Sequence, residues 1–322
     1  MNIVKISGSP AQQMFQYAFY YALLQHDPEA RLHVPSEKWI NSRFHLPRFV
    51  EASADDLKQF GRGSIGSRMM SVFRKAAGEV VTEPQDHRFV ADLLEKKDAY
   101  FDGQWLSPRY FASVEDDIRS AFSVPEKVLP SSMASMLNML KQGKTVAMQV
   151  HEPNGADNTC TPDYYNWAIA NILSTFNNPH FYVFTTDIDW VKANVNFQGA
   201  KVEIVAYPAA AETSLLAYLF RARHIVMANR LVSWWAAWLN ANDEAQQIVA
   251  DKKCRLCLIN SKRKVQRDHA TSDQPTLTAT ELKQIDFIEV AKMYIESEGV
   301  TFDDEMLEML QEVKEMLNSN QE

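Results

Sequence analysis

The sequence predicts an α/β protein with two Rossmann-like layers facing a cleft and a helical tail behind them. Three observations predict this. Short apolar, β-prone runs alternate with helix patterns at the start of the chain and again from residue 145 onward. Two prolines, Pro125 and Pro130, precede the helix pattern that separates the two alternations. The last stretch, 269–322, changes character, with a polar linker followed by two amphipathic patterns and a concentration of acid. The domains expected are 1–140, 141–268 and the tail 269–322.

In chain order, Ile3-Val4-Lys5-Ile6 reads as a buried strand and Ser7-Gly8-Ser9-Pro10 as a turn, and a helix is expected from Gln12 to Gln25. Leu32-His33-Val34 is the next strand, stopped by Pro35. Residues 51–98 are polar and weakly patterned, and read as helix with loops. Ala99 to Trp105 reads as a strand entering a loop, and Ser131 to Gly143 as a helix. In the second half, strands are expected at 145–150, 180–184, 201–205 and 224–227. Helices are expected at 162–176, 187–194, 212–223 and 233–239. Strands alternating with helices of this length give a parallel sheet covered on both faces. Ligands of such sheets bind beyond the carboxyl ends of the strands. That rule brings Gln149–Asn154, Thr185–Asp189 and Asn229–Ser233 to one site. In the tail, Leu282 to Glu298 and a helix capped by Thr301 are expected. Met306, Leu310, Val313 and Leu317 form the apolar seam of the second.

The composition excludes several classes. The chain has 322 residues and a net charge of −8. Residues 281–322 hold twelve acidic and three basic side chains, so the rest is near neutral. Such a body is not built to coat nucleic acid. A basic cluster from Lys252 to Arg267 reads as a solvated face or as a contact for anionic lipid or a charged glycan carrier. No apolar run is long enough to span a bilayer, and the N-terminus lacks the features of a signal peptide. A cytoplasmic protein with at most peripheral contact to the inner membrane is expected. Cys160, Cys254 and Cys257 are too few for a disulfide scaffold.

Three segments resemble the bacterial α-1,2-fucosyltransferase family: Gln13-Met14-Phe15-Gln16-Tyr17-Ala18, Phe181 to Trp190, and Asn229 to Asn240 with its Trp234-Trp235 and Trp238-Leu239. A weaker fourth runs from Gly103 to Phe111. The resemblance implies a GT-B-like architecture with an N-terminal acceptor side and a C-terminal side holding GDP-fucose or another nucleotide sugar. It implies no cofactor and no metal. In the family a His-x-Arg-Arg-Gly-Asp run after the first strand of the second half holds the diphosphate. Planar guanidinium groups meet the charge that grows on the leaving group.

Here that run reads Gln149-Val150-His151-Glu152-Pro153-Asn154. Both arginines are gone, and Glu152 adds a repulsive carboxylate. Losing a charge-assisted contact costs roughly 1.5–3 kcal/mol. Transition-state stabilisation lost with it is worth on the order of 100-fold in rate. The first loop has drifted too, and Pro10 removes a backbone donor from it. The resemblance makes His151, Glu152 and Asp187 the catalytic candidates. Gln149, Asn154, Asn229, Arg230 and Ser233 are the donor-binding candidates. Gly8, Gln12, Gln13 and Gln16 are the candidates that face the cleft or the acceptor. Arg230 or Arg109 could reach in to replace a lost arginine.

Each residue has a plainer reading. The three tryptophans suit a helix core. His151 reads equally as a protonated anion ligand or a solvent-facing loop residue. Glu152 reads as a general base or a surface carboxylate. Asp187-Ile188-Asp189 reads as a metal site or as the acidic start of a helix. Ser233 reads as a phosphate contact or as an N-cap. Two functions follow. One is sugar transfer from a nucleotide sugar to a glycan or lipid-linked oligosaccharide. The other is an inactive relative that binds glycan, or a partner protein through the 281–322 tail.

Overall fold

The computed structural model describes residues 1–35, 40–42, 44, 46–60, 78–85, 87–123, 131–151, 160–207, 212–240, 248–250 and 265–267. The expectations for the tail, Cys254 and Cys257, and for Glu152 and Asn154, lie outside these residues.

Strand β1 (Ile3–Lys5) runs into helix α1 (Pro10–Leu23) through a turn at Gly8, whose φ is +81°. The helix starts two residues before the expected Gln12. Ser9 is its N-cap and accepts from the Gln12 backbone, while the Gln12 side chain accepts from Ser9 N at 2.8 Å. Pro10 sits at the first helical position, where the N–H would be unpaired anyway. The donor that the proline removes is therefore not missed by the fold.

Strands β2 (Arg31–His33), β3 (Glu79–Thr82) and β4 (Ala99–Asp102) complete a parallel sheet in the order β2-β1-β4-β3. Strand β3 lies in the stretch that reads as helix and loop. It is an edge strand with only Val81 buried, so it carries no apolar alternation to reveal it. Helix α2 (Ala54–Lys58), a 3-10 segment (Pro108–Val114), helix α3 (Glu115–Ala121) and helix α4 (Ser131–Leu140) follow or flank this sheet.

The second sheet is built from β5 (Thr145–Val150), β6 (His180–Thr185), β7 (Lys201–Ala206), β8 (His224–Val226), β9 (Ile248–Ala250) and β10 (Val265–Arg267). All its pairings are parallel, in the order β10-β9-β8-β5-β6-β7. Relabelled within this half, the order is 3-2-1-4-5-6, the doubly wound dinucleotide-binding arrangement. Helices α5 (Pro162–Thr175), α6 (Ile188–Asn194), α7 (Glu212–Leu219) and α8 (Leu231–Leu239) connect the strands. The molecule is thus α/β with two parallel, Rossmann-like sheets, as the alternation predicts. Among the described residues no helix is long and apolar enough to cross a membrane.

Both sheets contribute to one hydrophobic cluster within a single unit, Met1–Ala270. Its centre is aromatic. Phe15 of α1 lies 4.7 Å from the Trp234 ring and 4.6 Å from Trp235 of α8. Phe111 stacks on Trp235 at 5.8 Å, and Phe122 meets it edge-on at 5.2 Å. Trp235 Nε1 donates to Ala11 O at 3.0 Å, tying α8 to the first turn of α1. Arg119 of α3 lays its guanidinium 4.1 Å over Trp238 and donates to that residue's carbonyl. The tryptophans are core, and each well-set aromatic pair adds about 0.5–1.5 kcal/mol beyond area burial. A second cluster, built from α5 and α6, covers part of the second sheet.

Candidate active site at the second switch point

In a doubly wound sheet the chain winds to one side of its first strand and then returns to the other. The two strands at the reversal leave a crevice beyond their carboxyl ends. In the second sheet these strands are β5 and β8, paired through Val146–His224, Ala147–Ile225 and Met148–Val226. His151 is the first residue past β5. Arg230 lies four residues past β8, at the N-cap of α8.

The Arg230 side chain reaches across this crevice. Its Nη2 is 2.7 Å from His151 Nε2 and 3.1 Å from Nδ1. A nitrogen close to both ring nitrogens is laid against the imidazole rather than bonded to one lone pair, a contact that guanidinium groups favour. Arg230 therefore points at the Gln149–His151 segment. Arg109 stacks 4.4 Å over Phe89 of the first half instead.

Arg230 offers no side-chain cap to α8, so it holds the N-cap position by backbone alone. Ser233, expected as the cap, is the third helical residue and fully buried. Its hydroxyl accepts from Ala228 N at 3.2 Å and donates to Gln149 Oε1. Gln149 is buried too, and its Nε2 donates to Tyr207 Oη at 2.9 Å. Gln149 and Ser233 are thus bound to each other, to Tyr207 and to the Ala228 backbone at this crevice. The network joins the ends of β5, β7 and β8 to the start of α8.

Asp187 is the N-cap of α6. Its Oδ1 accepts from Trp190 N at 2.9 Å, and its own N–H goes to Thr185 Oγ1 at 3.0 Å. One oxygen of this carboxylate, a catalytic candidate in the sequence, caps the start of the helix. Among the described residues no cluster of acidic, histidine or cysteine side chains could hold a metal ion. Asn229 adjoins Arg230 at the same strand end.

Two residues not singled out in the sequence complete the site, both on α5. Tyr165 Oη accepts from His151 N at 3.1 Å and lies 3.4 Å from His151 O. Tyr164 Oη donates to Met227 O at 2.7 Å. Burial pushes the Tyr165 hydroxyl well above the ordinary tyrosine range, so it stays protonated. Their place on the buried face of a helix hides both hydroxyls from a sequence reading, and Tyr207, one residue past β7, is likewise not singled out there.

The first sheet has its own reversal, between β1 and β4, and there the crevice is stapled. On one face Lys5 Nζ pairs with both carboxylate oxygens of Asp102, at 2.9 and 3.0 Å. Buried Gln16 accepts from Ser7 N at 2.8 Å and donates to Gly103 O at 2.9 Å. Gln13, also buried, donates to Gly8 O at 3.0 Å and accepts from Ile40 N at 3.0 Å. Gln12 closes the capping box, and its Oε1 would lie 2.3 Å from a Cβ added at Gly8. Gly8, Gln12, Gln13 and Gln16 were expected to face the cleft. The structure gives the three amides to holding the first loop together, because a loop at a strand end leaves backbone groups that need partners.

Residues 95–254 match the model of glycosyl transferase family 11. The chain is also 23% identical over 265 residues to the α-1,2-colitosyltransferase of Escherichia coli, covering 75% of this chain and 88% of that one. Together these two matches support a protein of the bacterial α-1,2-fucosyltransferase family. The matches support a glycosyltransferase of family 11, and the tryptophan segment of α8 lies within the matched residues.

Solved structures similar to this family member include the E. coli heptosyltransferase WaaC with an ADP-heptose analogue, at 13% identity and TM-score 0.39 over 90% of this chain and all of that one. E. coli ADP-heptose heptosyltransferase II follows at 14% identity and TM-score 0.42, over 92% and 100%. POFUT1 in complex with GDP gives 11% identity and TM-score 0.32, over 83% and 98%.

Proposed function

We propose that the chain transfers fucose, or another sugar, from a nucleotide-diphosphate donor to a hydroxyl of a glycan or lipid-linked oligosaccharide. The diphosphate sits at the crevice between β5 and β8. One observation carries this reading: the Arg230 guanidinium reaches the segment where the family's arginines are missing. It rises from the start of α8, whose first N–H groups also favour an anion. A permanent cation moved from one side of the crevice to the other keeps the charge that the leaving group needs. His151, freed from Arg230 when a diphosphate takes its place, becomes a second hydrogen-bond donor.

In this reading residues 141–268 form the donor side and 1–140 the acceptor side. The general base is assigned to Glu152 by its sequence position alone. The 281–322 tail is left to a partner protein.

The test is calorimetric titration with GDP-fucose, GDP and other nucleotide sugars, with and without divalent metal, on the native chain and Arg230→Gln. Saturable binding without metal that weakens at least 10-fold in the variant supports the reading. A charge-assisted contact of about 1.5–3 kcal/mol corresponds to that range. Binding that needs metal, or ignores Arg230, refutes the placement. No binding at millimolar ligand favours the second reading, an inactive relative that binds glycan or protein. The exchange of two arginines for His151 and Glu152 is the observation behind it.

A further inference from the structure

The two strand ends that flank the crevice are each held by a tyrosine, and the two tyrosines are neighbours in sequence. Tyr165 takes the backbone of His151, one residue past β5, and Tyr164 takes the carbonyl of Met227, one residue past β8. Both side chains are buried, their rings 5.2 Å apart near the start of α5. A helix is stiff, so two hydroxyls fixed on adjacent residues set the separation of the two strand ends they hold. Tyr165 lies within hydrogen-bond reach of both polar groups of the His151 main chain. It therefore fixes the direction in which that side chain leaves the strand. Tyr164 acts three residues before Arg230, at the start of the segment that aims the guanidinium.

We propose that Tyr164 and Tyr165 are positioning residues of the donor site, a two-hydroxyl gauge that holds His151 and Arg230 at the spacing of a nucleoside diphosphate. The proposal rests on the donor-site reading above. The hydroxyls touch no ligand themselves. They act through the backbone of the residues that do, which is why conservative removal of either oxygen is informative. The hydroxyl of Tyr165 keeps its proton across the working pH range, so its hold on His151 does not vary with pH.

The experiment uses the full chain with Tyr164→Phe and Tyr165→Phe, titrated with GDP-fucose by calorimetry beside the native protein. Phenylalanine keeps the ring and removes only the oxygen. Loss of positioning raises Kd about 3- to 10-fold, the range of one net hydrogen bond, at unchanged stoichiometry. A purely structural role lowers the folded fraction instead, which reduces stoichiometry and leaves Kd alone. Native-like Kd in both variants, with or without lost stoichiometry, overturns the proposal while the donor site stands. Failure of the native chain to bind overturns both. If one variant fails to fold, the other carries the same test, because each holds a different strand.

Discussion

Replacing Gln16 by leucine separates a structural glutamine from one that meets substrate. Leucine approaches the shape of the side chain but strands Ser7 N and Gly103 O, the two backbone groups that the amide pairs at 2.8 and 2.9 Å. A third contact, to Ser7 Oγ at 3.4 Å, adds little. Each buried group left without a partner costs about 1–3 kcal/mol. Ser7 and Gly103 are only half-buried, so water recovers part of this. The expected loss is then about 2–4 kcal/mol. For a chain of 322 residues that lowers Tm by about 3–6 °C. The assay is thermal unfolding followed by circular dichroism, beside acceptor KM measured below the transition. A variant with native Tm but a raised acceptor KM refutes the reasoning, and returns Gln16 to the cleft.

Three other perturbations test the fold. Trp235→Phe removes the bond to Ala11 O and part of the aromatic junction. It should cost about 1–3 kcal/mol and leave a single unfolding transition in far- and near-ultraviolet circular dichroism; two separated transitions would refute the shared core. Gly8→Ala forces a side chain into the left-handed region, at φ +81°, and against Gln12 Oε1. A loss of about 1–2 kcal/mol in a denaturant titration is expected, and an unchanged midpoint would contradict it. Asp56 is held below its ordinary pKa, first by the Ser53 hydrogen bond and then by Arg31. Its folded value is lowered, so its contribution is present above about pH 4 and is lost as pH falls through the folded value. The stability gap between the native chain and Asp56→Asn should therefore close in acid, and a gap that widens there would refute the assignment.

The sequence shows β5, β6 and β8 well because they are buried on both faces and read as unbroken apolar runs, whereas the short β9 and β10 go unread. Val146, Met148, Phe181 and Val183 are examples. Edge strand β3 escapes because one buried side chain, Val81, makes no pattern. Helix starts shift by two residues at Pro10 and Leu231, where the capping residue and not the apolar stripe decides the boundary. Site geometry is legible to the extent that topology dictates it. The carboxyl-end rule brings His151, Thr185 and Arg230 together from the alternation alone. It cannot say whether a polar side chain at a strand end faces ligand or backbone. Gln13, Gln16, Gln149, Ser233 and Asp187 all have the chemistry of ligand contacts, yet each is engaged by neighbouring protein groups. Hydrogen-bonding capacity is visible in a residue type, but its direction is a three-dimensional property.

The tryptophan junction also bears on motion. A clamshell swing of one sheet over the other would have to draw Trp235 out from among Phe15, Phe111 and Phe122 and part it from Ala11. Exposing each such ring to water costs roughly 1.5–3 kcal/mol, a steep toll for every catalytic cycle. The pivot is therefore a weld. In the proposed donor site, adjustment to a diphosphate would fall to short-range movements such as the departure of Arg230 from the face of His151, a shift of one side chain that leaves both sheets where they are.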